Sequence, residues 1–84
     1  MKIKFTQKAK KQYEYWKEKD RKILVKINEL IKDIQETPFE GLGKPEALKF
    51  NFNGYWLRRI NYEHRLVYKV EDDSIVVVQC RYHY

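Results

Sequence analysis

The hydrophobic spacing of this chain changes once, at Pro45, and that change limits what it can fold into. From Arg21 to about Glu36 the apolar residues Ile23, Leu24, Ile27, Leu30, Ile31 and Ile34 recur every three or four positions, which gathers them on one stripe of a helix. Thr37-Pro38 ends that helix, because the proline ring disfavours helical backbone in the residue before it. Beyond Pro45 the spacing drops to two, with strands expected near Ala47 to Asn51, Tyr55 to Ile60, Arg65 to Val70 and Ile75 to Tyr82, and a tight hairpin turn at Asn53-Gly54. Upstream, Met1 to Phe5 alternates as a short strand, and Thr6 can cap a helix running to about Lys19 with Ala9, Tyr13 and Trp16 on one face. The order β-α-α-β-β-β-β predicts an α+β fold in which two N-terminal helices cover one face of a mainly antiparallel sheet. The other face is left free for work.

At 84 residues the chain has room for one domain spanning 1–84, so Phe39 to Pro45, with Gly41 and Gly43, reads as an ordered loop rather than a linker. Cys80 is the single cysteine and cannot close an internal disulfide. With no Cys/His spacing suited to a metal and no cofactor motif, a reduced compartment, the cytoplasm, is expected, with neither metal nor cofactor. The longest aliphatic run is Ile75 to Val78, so neither a signal peptide nor a membrane span is expected.

Charge is informative through its distribution. Lys and Arg number 18 against 12 Asp and Glu, a net +6, which favours an anionic partner. Residues 1–43 hold ten of the thirteen lysines and only Arg21, whereas 44–84 hold Arg58, Arg59, Arg65 and Arg81. Lysine suits solvated helix faces, while the planar arginine fork binds phosphate in bidentate fashion. A phosphate site is therefore expected in the C-terminal half.

Register decides which side chains share a face. A two-residue turn at Asp72-Asp73 would set Arg81 and His83 among Leu66, Tyr68 and Val70. A three-residue turn, Asp72 to Ser74, instead gathers Leu66, Tyr68, Val70, Val76, Val78 and Cys80 as an apolar face and sends Arg65, Arg81 and His83 to the other. A connection at Asn61 to Glu63 likewise sets Arg59 opposite Arg65, with Trp56 and Ile60 on the apolar side. Like charges directly opposite each other destabilise a sheet, so a row of Arg59, Arg65 and Arg81 calls for an anion unless the three splay into solvent. A two-residue turn at Asn53-Gly54 would put Lys49 on the apolar side, so a place for it at the site requires a rim position or a bulge.

Cleaving RNA without a metal takes a base for the 2′-OH proton, an acid for the departing 5′ oxygen, and cations around the charged phosphorane. Glu46 follows the Gly/Pro loop at the mouth of the sheet, where it can serve as the base or be an ordinary solvated strand start. His83 can hold or release a proton near neutrality, unless it is merely a frayed terminus. His64 flanks a turn on the apolar side and reads as structural. Tyr82 and Tyr84 can stack on a base, hydrogen-bond a phosphate or simply pack. Alternation puts Cys80 in the core, which argues against a thiol dyad with a histidine.

Several segments resemble the YoeB toxin family of the RelE/ParE superfamily end to end: Tyr13-Glu14-Tyr15-Trp16, Lys26 to Asp33, Thr37-Pro38-Phe39-Glu40-Gly41, Gly43-Lys44-Pro45-Glu46, Arg58-Arg59-Ile60, Glu63 to Tyr68 and Cys80-Arg81-Tyr82-His83-Tyr84. The resemblance implies a microbial-ribonuclease-like fold and a ribosome-dependent endoribonuclease that cuts mRNA in the ribosomal A site. It implies a homodimer and a YefM-like antitoxin that inhibits through an acidic, largely disordered segment. It assigns Glu46 as general base, His83 as general acid and Arg65 as transition-state stabiliser, with Lys49 and Arg59 holding phosphate and Tyr84 completing the site. Lysine enrichment in the first helix, and Phe50 and Phe52 before Asn53-Gly54, depart from the family pattern. The competing readings are a ParE-like DNA gyrase inhibitor and a basic RNA-binding module without catalysis.

Overall fold

A computed structural model of the protein describes residues 1–83. The elements are β1 (Lys2–Phe5), α1 (Gln7–Lys19), α2 (Arg21–Glu36), β2 (Glu46–Ala47), a 3-10 turn (Phe50–Phe52), β3 (Tyr55–Arg59), β4 (Arg65–Glu71) and β5 (Ser74–Gln79). Thr6 caps α1 by accepting the Ala9 N–H at 3.2 Å. Asp20 ends α1 in extended backbone and accepts the Lys22 and Ile23 N–H groups, so one residue closes the first helix and opens the second.

The strands form one sheet in the order β1-β5-β4-β3-β2, with β1 parallel to β5 and the other pairs antiparallel. This is the expected α+β architecture. Ala9 and Trp16 of α1 and Leu24, Ile27, Leu30 and Ile34 of α2 pack on Leu66, Tyr68, Ile75 and Val77. A smaller cluster of Leu48, Leu57 and Val67 lies on the opposite face, bordered by Tyr55 and Val78.

The β4–β5 turn corrects the sequence expectation. It has two residues, Asp72-Asp73, since Glu71 pairs with Ser74 and Val70 with Ile75. Asp72 adopts a φ of 45°, a left-handed conformation that aspartate tolerates. Ile75 and Val77 therefore enter the core in place of Val76 and Val78. Further along, Tyr68 pairs with Val77 but Val67 with Gln79, leaving Val78 as the extra residue of a β-bulge. A bulge breaks the alternation once, so Val77 and Cys80 both face the helices although they are three apart. The bulge thus keeps Arg81 and His83 from following Ile75 and Val77 into the hydrophobic core.

The β2–β3 connection also differs from the expected tight turn. Ladder bonding ends where the Leu48 N–H meets the Tyr55 carbonyl at 2.9 Å, and Lys49 to Gly54 form a longer loop containing the 3-10 turn. The strand expected to reach Tyr82 likewise stops at Gln79.

Candidate functional site

Successive residues of a strand point to opposite faces, and on β3 this separates two neighbouring arginines. Arg58 faces the helices with Trp56 and Ile60 and is fully buried. Its guanidinium pairs with Asp33 and donates to the carbonyls of Thr37 (2.7 Å), Glu40 (2.9 Å) and Leu42 (2.9 Å), while its Nε meets the Tyr68 hydroxyl at 3.2 Å. The Tyr68 hydroxyl donates onward to the Pro38 carbonyl at 2.6 Å, and burial pushes its pKa up so that it keeps that proton. The Arg58 hydrogen bond and the Leu42 N–H hold the Asp33 carboxyl below its ordinary range. One buried cation therefore moulds the 37–43 loop that delivers Pro45 and Glu46 to the sheet edge. Gly41 fits there because it takes a φ of 117° tight against Asp33. Charge alone counted Arg58 among possible phosphate ligands. The register that faces it inward with Trp56 and Ile60 was the signal for its structural role.

Arg59 is exposed and pairs directly with Arg65, as expected. Glu46 pairs with Leu57 on the same sheet, and directly paired residues share a face, so Glu46, Arg59 and Arg65 all lie on the face away from the helices. Arg65 is braced from behind. Its Nη1 donates to the carbonyls of Asn61 (2.9 Å), His64 (3.1 Å) and Tyr62 (3.2 Å), leaving Nε and Nη2 without a protein acceptor among the described residues. Lys49 leaves the ladder in extended backbone, caps the 3-10 turn and lines a hollow of about 350 Å³ with Glu46, Leu48 and Phe50. Lys49 thus sits at the rim of the sheet beside Glu46.

The C-terminal segment is anchored through backbone atoms. Gln12 Oε1 accepts the Cys80 N–H at 2.7 Å and Trp16 Nε1 donates to the Cys80 carbonyl at 2.9 Å, so α1 grips both polar atoms of that residue. Tyr82 then takes a φ of 70°, donating its N–H to His64 Nδ1 at 2.8 Å and accepting the Arg65 N–H at 2.9 Å. Gln79, paired with Val67, donates its side-chain amide to the His83 carbonyl at 2.9 Å. His83 is exposed beside this contact. Tyr84 lies outside the described residues.

Arg81 departs from the expected row. Its guanidinium stacks on Tyr15 of α1 at 3.6 Å from the ring centroid and lies 4.5 Å from that of Tyr82, so only Arg59 and Arg65 remain together. The α1 grip on Cys80 comes from 64 and 68 residues away in the chain, beyond the reach of strand alternation.

Two further groups are structural. The His64 ring meets Trp16 edge to face at 4.8 Å, and burial holds its pKa below the ordinary 6.5, so it stays neutral with Nδ1 free to accept. Burial pushes the Cys80 thiol up to about 12, leaving it unreactive in the core. Among the described residues no three His, Cys, Asp or Glu side chains gather in a way that could hold a metal, and no helix is long and apolar enough to cross a membrane.

A family model for the YoeB-like toxin of bacterial type II toxin-antitoxin systems matches residues 5–84. The YoeB toxin of Escherichia coli (strain K12) is 57% identical over 84 residues, covering 100% of both chains. The structure of a YoeB/ParE toxin from Agrobacterium tumefaciens superposes with a TM-score of 0.98 at 48% identity over 100% of both chains. A YoeB dimer from Staphylococcus aureus superposes at 0.94 and a heterotetrameric YoeB-YefM complex from that organism at 0.93, each 49% identical and covering 100% of this chain and 98% of the other. Agreement along the whole length defines the class, a type II toxin on the RelE/ParE-like fold. The chain belongs to the YoeB toxin family.

Proposed function

We propose that this protein is a ribosome-dependent endoribonuclease that cleaves mRNA in the ribosomal A site by metal-independent acid-base chemistry. The observation that carries the reading is a carboxylate, Glu46, on the same open face as an arginine, Arg65, whose Nε and Nη2 have no acceptor among the described residues. Glu46 takes the 2′-OH proton and the 2′ oxygen attacks the adjacent phosphorus. The bond to the 5′ oxygen breaks and His83 protonates that oxygen, leaving a 2′,3′-cyclic phosphate and a 5′-hydroxyl. Arg65 neutralises the charge gathering on the phosphorane, Arg59 and Lys49 hold flanking phosphates, and Tyr84 completes the C-terminal side.

Inhibition fits the same face. An acidic YefM-like segment would neutralise Arg59 and Arg65 while ordering on the toxin, in keeping with the YoeB-YefM complex of the Staphylococcus aureus relative. The dimer of that relative supports a homodimer here, and the substrate places its action in the cytoplasm.

The test is primer extension on a defined mRNA, with and without ribosomes stalled at a known codon, using wild type and His83→Ala. Cuts confined to the A-site codon, dependent on ribosomes and lost in the variant, are expected. No cuts in either condition, with folded and antitoxin-free protein, would overturn the reading in favour of gyrase inhibition.

A further inference from the structure

Among the described residues, Arg81 is a fixed cation without a counter-charge. Stacking on Tyr15 and Tyr82 immobilises the guanidinium, its Nε is buried without a hydrogen-bond partner, and no carboxylate pairs with it among the described residues. The α1 grip on Cys80 holds this arrangement rigid. Cation-π contact offsets part of the cost of enclosing the charge but supplies no acceptor to its donors.

The surroundings add charge of the same sign. Arg81 borders a groove of about 540 Å³ lined also by Gln7, Lys8, Lys11, Tyr15 and Tyr82, and no carboxylate lines it among the described residues. Lys8, Lys10 and Lys11 crowd the N-terminal half of α1, whose first turn carries no acid. Cations near a helix N-terminus oppose the helix dipole, so this lysine cluster works against the stability of its own helix. Of the α1 acids, Glu14 is engaged by Lys17 at 3.5 Å, and neither it nor Glu18 lines the groove.

We infer that this groove, built from Arg81, Lys8 and Lys11, is a binding site for RNA phosphodiester groups apart from the cleavage face. The inference deepens the proposed function, on which it rests for the identity of the partner as RNA. Phosphate suits the arginine fork, and binding to a sugar-phosphate backbone is carried by charge without apolar anchors. An acidic peptide that orders on binding buries apolar side chains against such anchors, and the rings this groove offers, Tyr15 and Tyr82, are already taken up by the Arg81 guanidinium. The groove would let the toxin grip RNA beside the cut codon while Glu46 and Arg65 address the scissile phosphate.

The probe is polyuridylate, with binding to the full-length toxin measured across salt for wild type, Lys8→Gln/Lys11→Gln and Arg81→Gln. Both lysines are solvent-facing, and thermal melting checks the fold of each variant. The double variant should weaken binding several-fold at low salt and flatten the plot of log K against log salt by about 1.4, close to 0.7 for each lost phosphate contact. Arg81→Gln should flatten it by about 0.7. Unchanged slopes in folded variants would overturn the inference. So would unaltered polyuridylate binding with lost affinity for polyglutamate, which would mark a protein-binding site. Primer extension on programmed ribosomes keeps the two claims separate: a wild type that binds polyuridylate through these lysines but cuts nothing leaves the groove standing and removes the nuclease.

Discussion

Arg58 and Arg59 are neighbours in the chain and opposites in environment. Arg58 is buried with a carboxylate, three carbonyls and a tyrosine hydroxyl around it, whereas Arg59 is exposed across from Arg65, which already repels it. One residue step on β3 separates charge spent on holding the fold from charge left over for a ligand. The helix-side face holds the hydrophobic core, and the open face carries the like-charged Arg59–Arg65 pair to which the proposed function assigns an anion.

The widest separation should come from the open face. Glu46→Ala and His83→Ala are each expected to slow single-turnover cleavage on programmed ribosomes by about 10²- to 10⁴-fold, with urea midpoints close to wild type because both side chains are exposed. A matching loss of stability would blur the two faces into one. Removing His83 and Tyr84 together should abolish cutting with little change in thermal midpoint, and retained cutting would move the acid elsewhere.

Arg58→Met is the reverse case. It strips Asp33 and three loop carbonyls of their shared partner, and loss of one member of a buried ion pair typically costs about 3–5 kcal/mol. Urea unfolding should report that loss, and cleavage by the fraction still folded should fall less than in the Glu46 variant. A stable Arg58→Met protein would contradict the structural role.

A smaller effect lies in pH. The folded state holds the His64 pKa below its ordinary 6.5 because the ring is partly buried and lies near Arg81 and Arg65. The unfolded chain therefore binds more protons as pH falls below 6.5, so this contribution is fully present above that value and is lost on acidification. Asp33 is also held low, from an ordinary 3.8, and its contribution persists above that value and fades as pH falls below it. Urea midpoints should thus decline in two stages, and His64→Gln should remove only the first. The smallest change is expected for Arg59→Ala, a modest loss of RNA affinity with a salt slope lower by about 0.7.

The helices and the β3–β4 register were legible because local rules govern them. Apolar spacing marks α2, and the Asn61 side chain accepts the Glu63 and His64 N–H groups, closing the three-residue turn that sets Arg59 opposite Arg65. The bulge at Val78 was not legible: no glycine marks it, and a run of aliphatic residues satisfies either register. The Lys49 to Gly54 loop was hidden by a persuasive Asn-Gly pair, while Phe50 takes a φ of 59° that its side chain does not advertise. Arg81 was misdirected because its path depends on Gln12 and Trp16, contacts that exist only once α1 has docked. Of the site residues, Glu46, Arg59 and Arg65 share one face through strand pairing, and Lys49 joins them through the irregular turn.

The division of labour between the two faces is tested most directly by Arg65→Ala, measured for single-turnover cleavage at a stalled A-site codon and for urea unfolding in the same buffer. The account predicts a rate lower by at least about 10²-fold with a midpoint barely moved, since among the described residues the Arg65 side chain bonds only to carbonyls of the 61–64 turn. Cleavage at the wild-type rate, or a loss matched by unfolding, would contradict it.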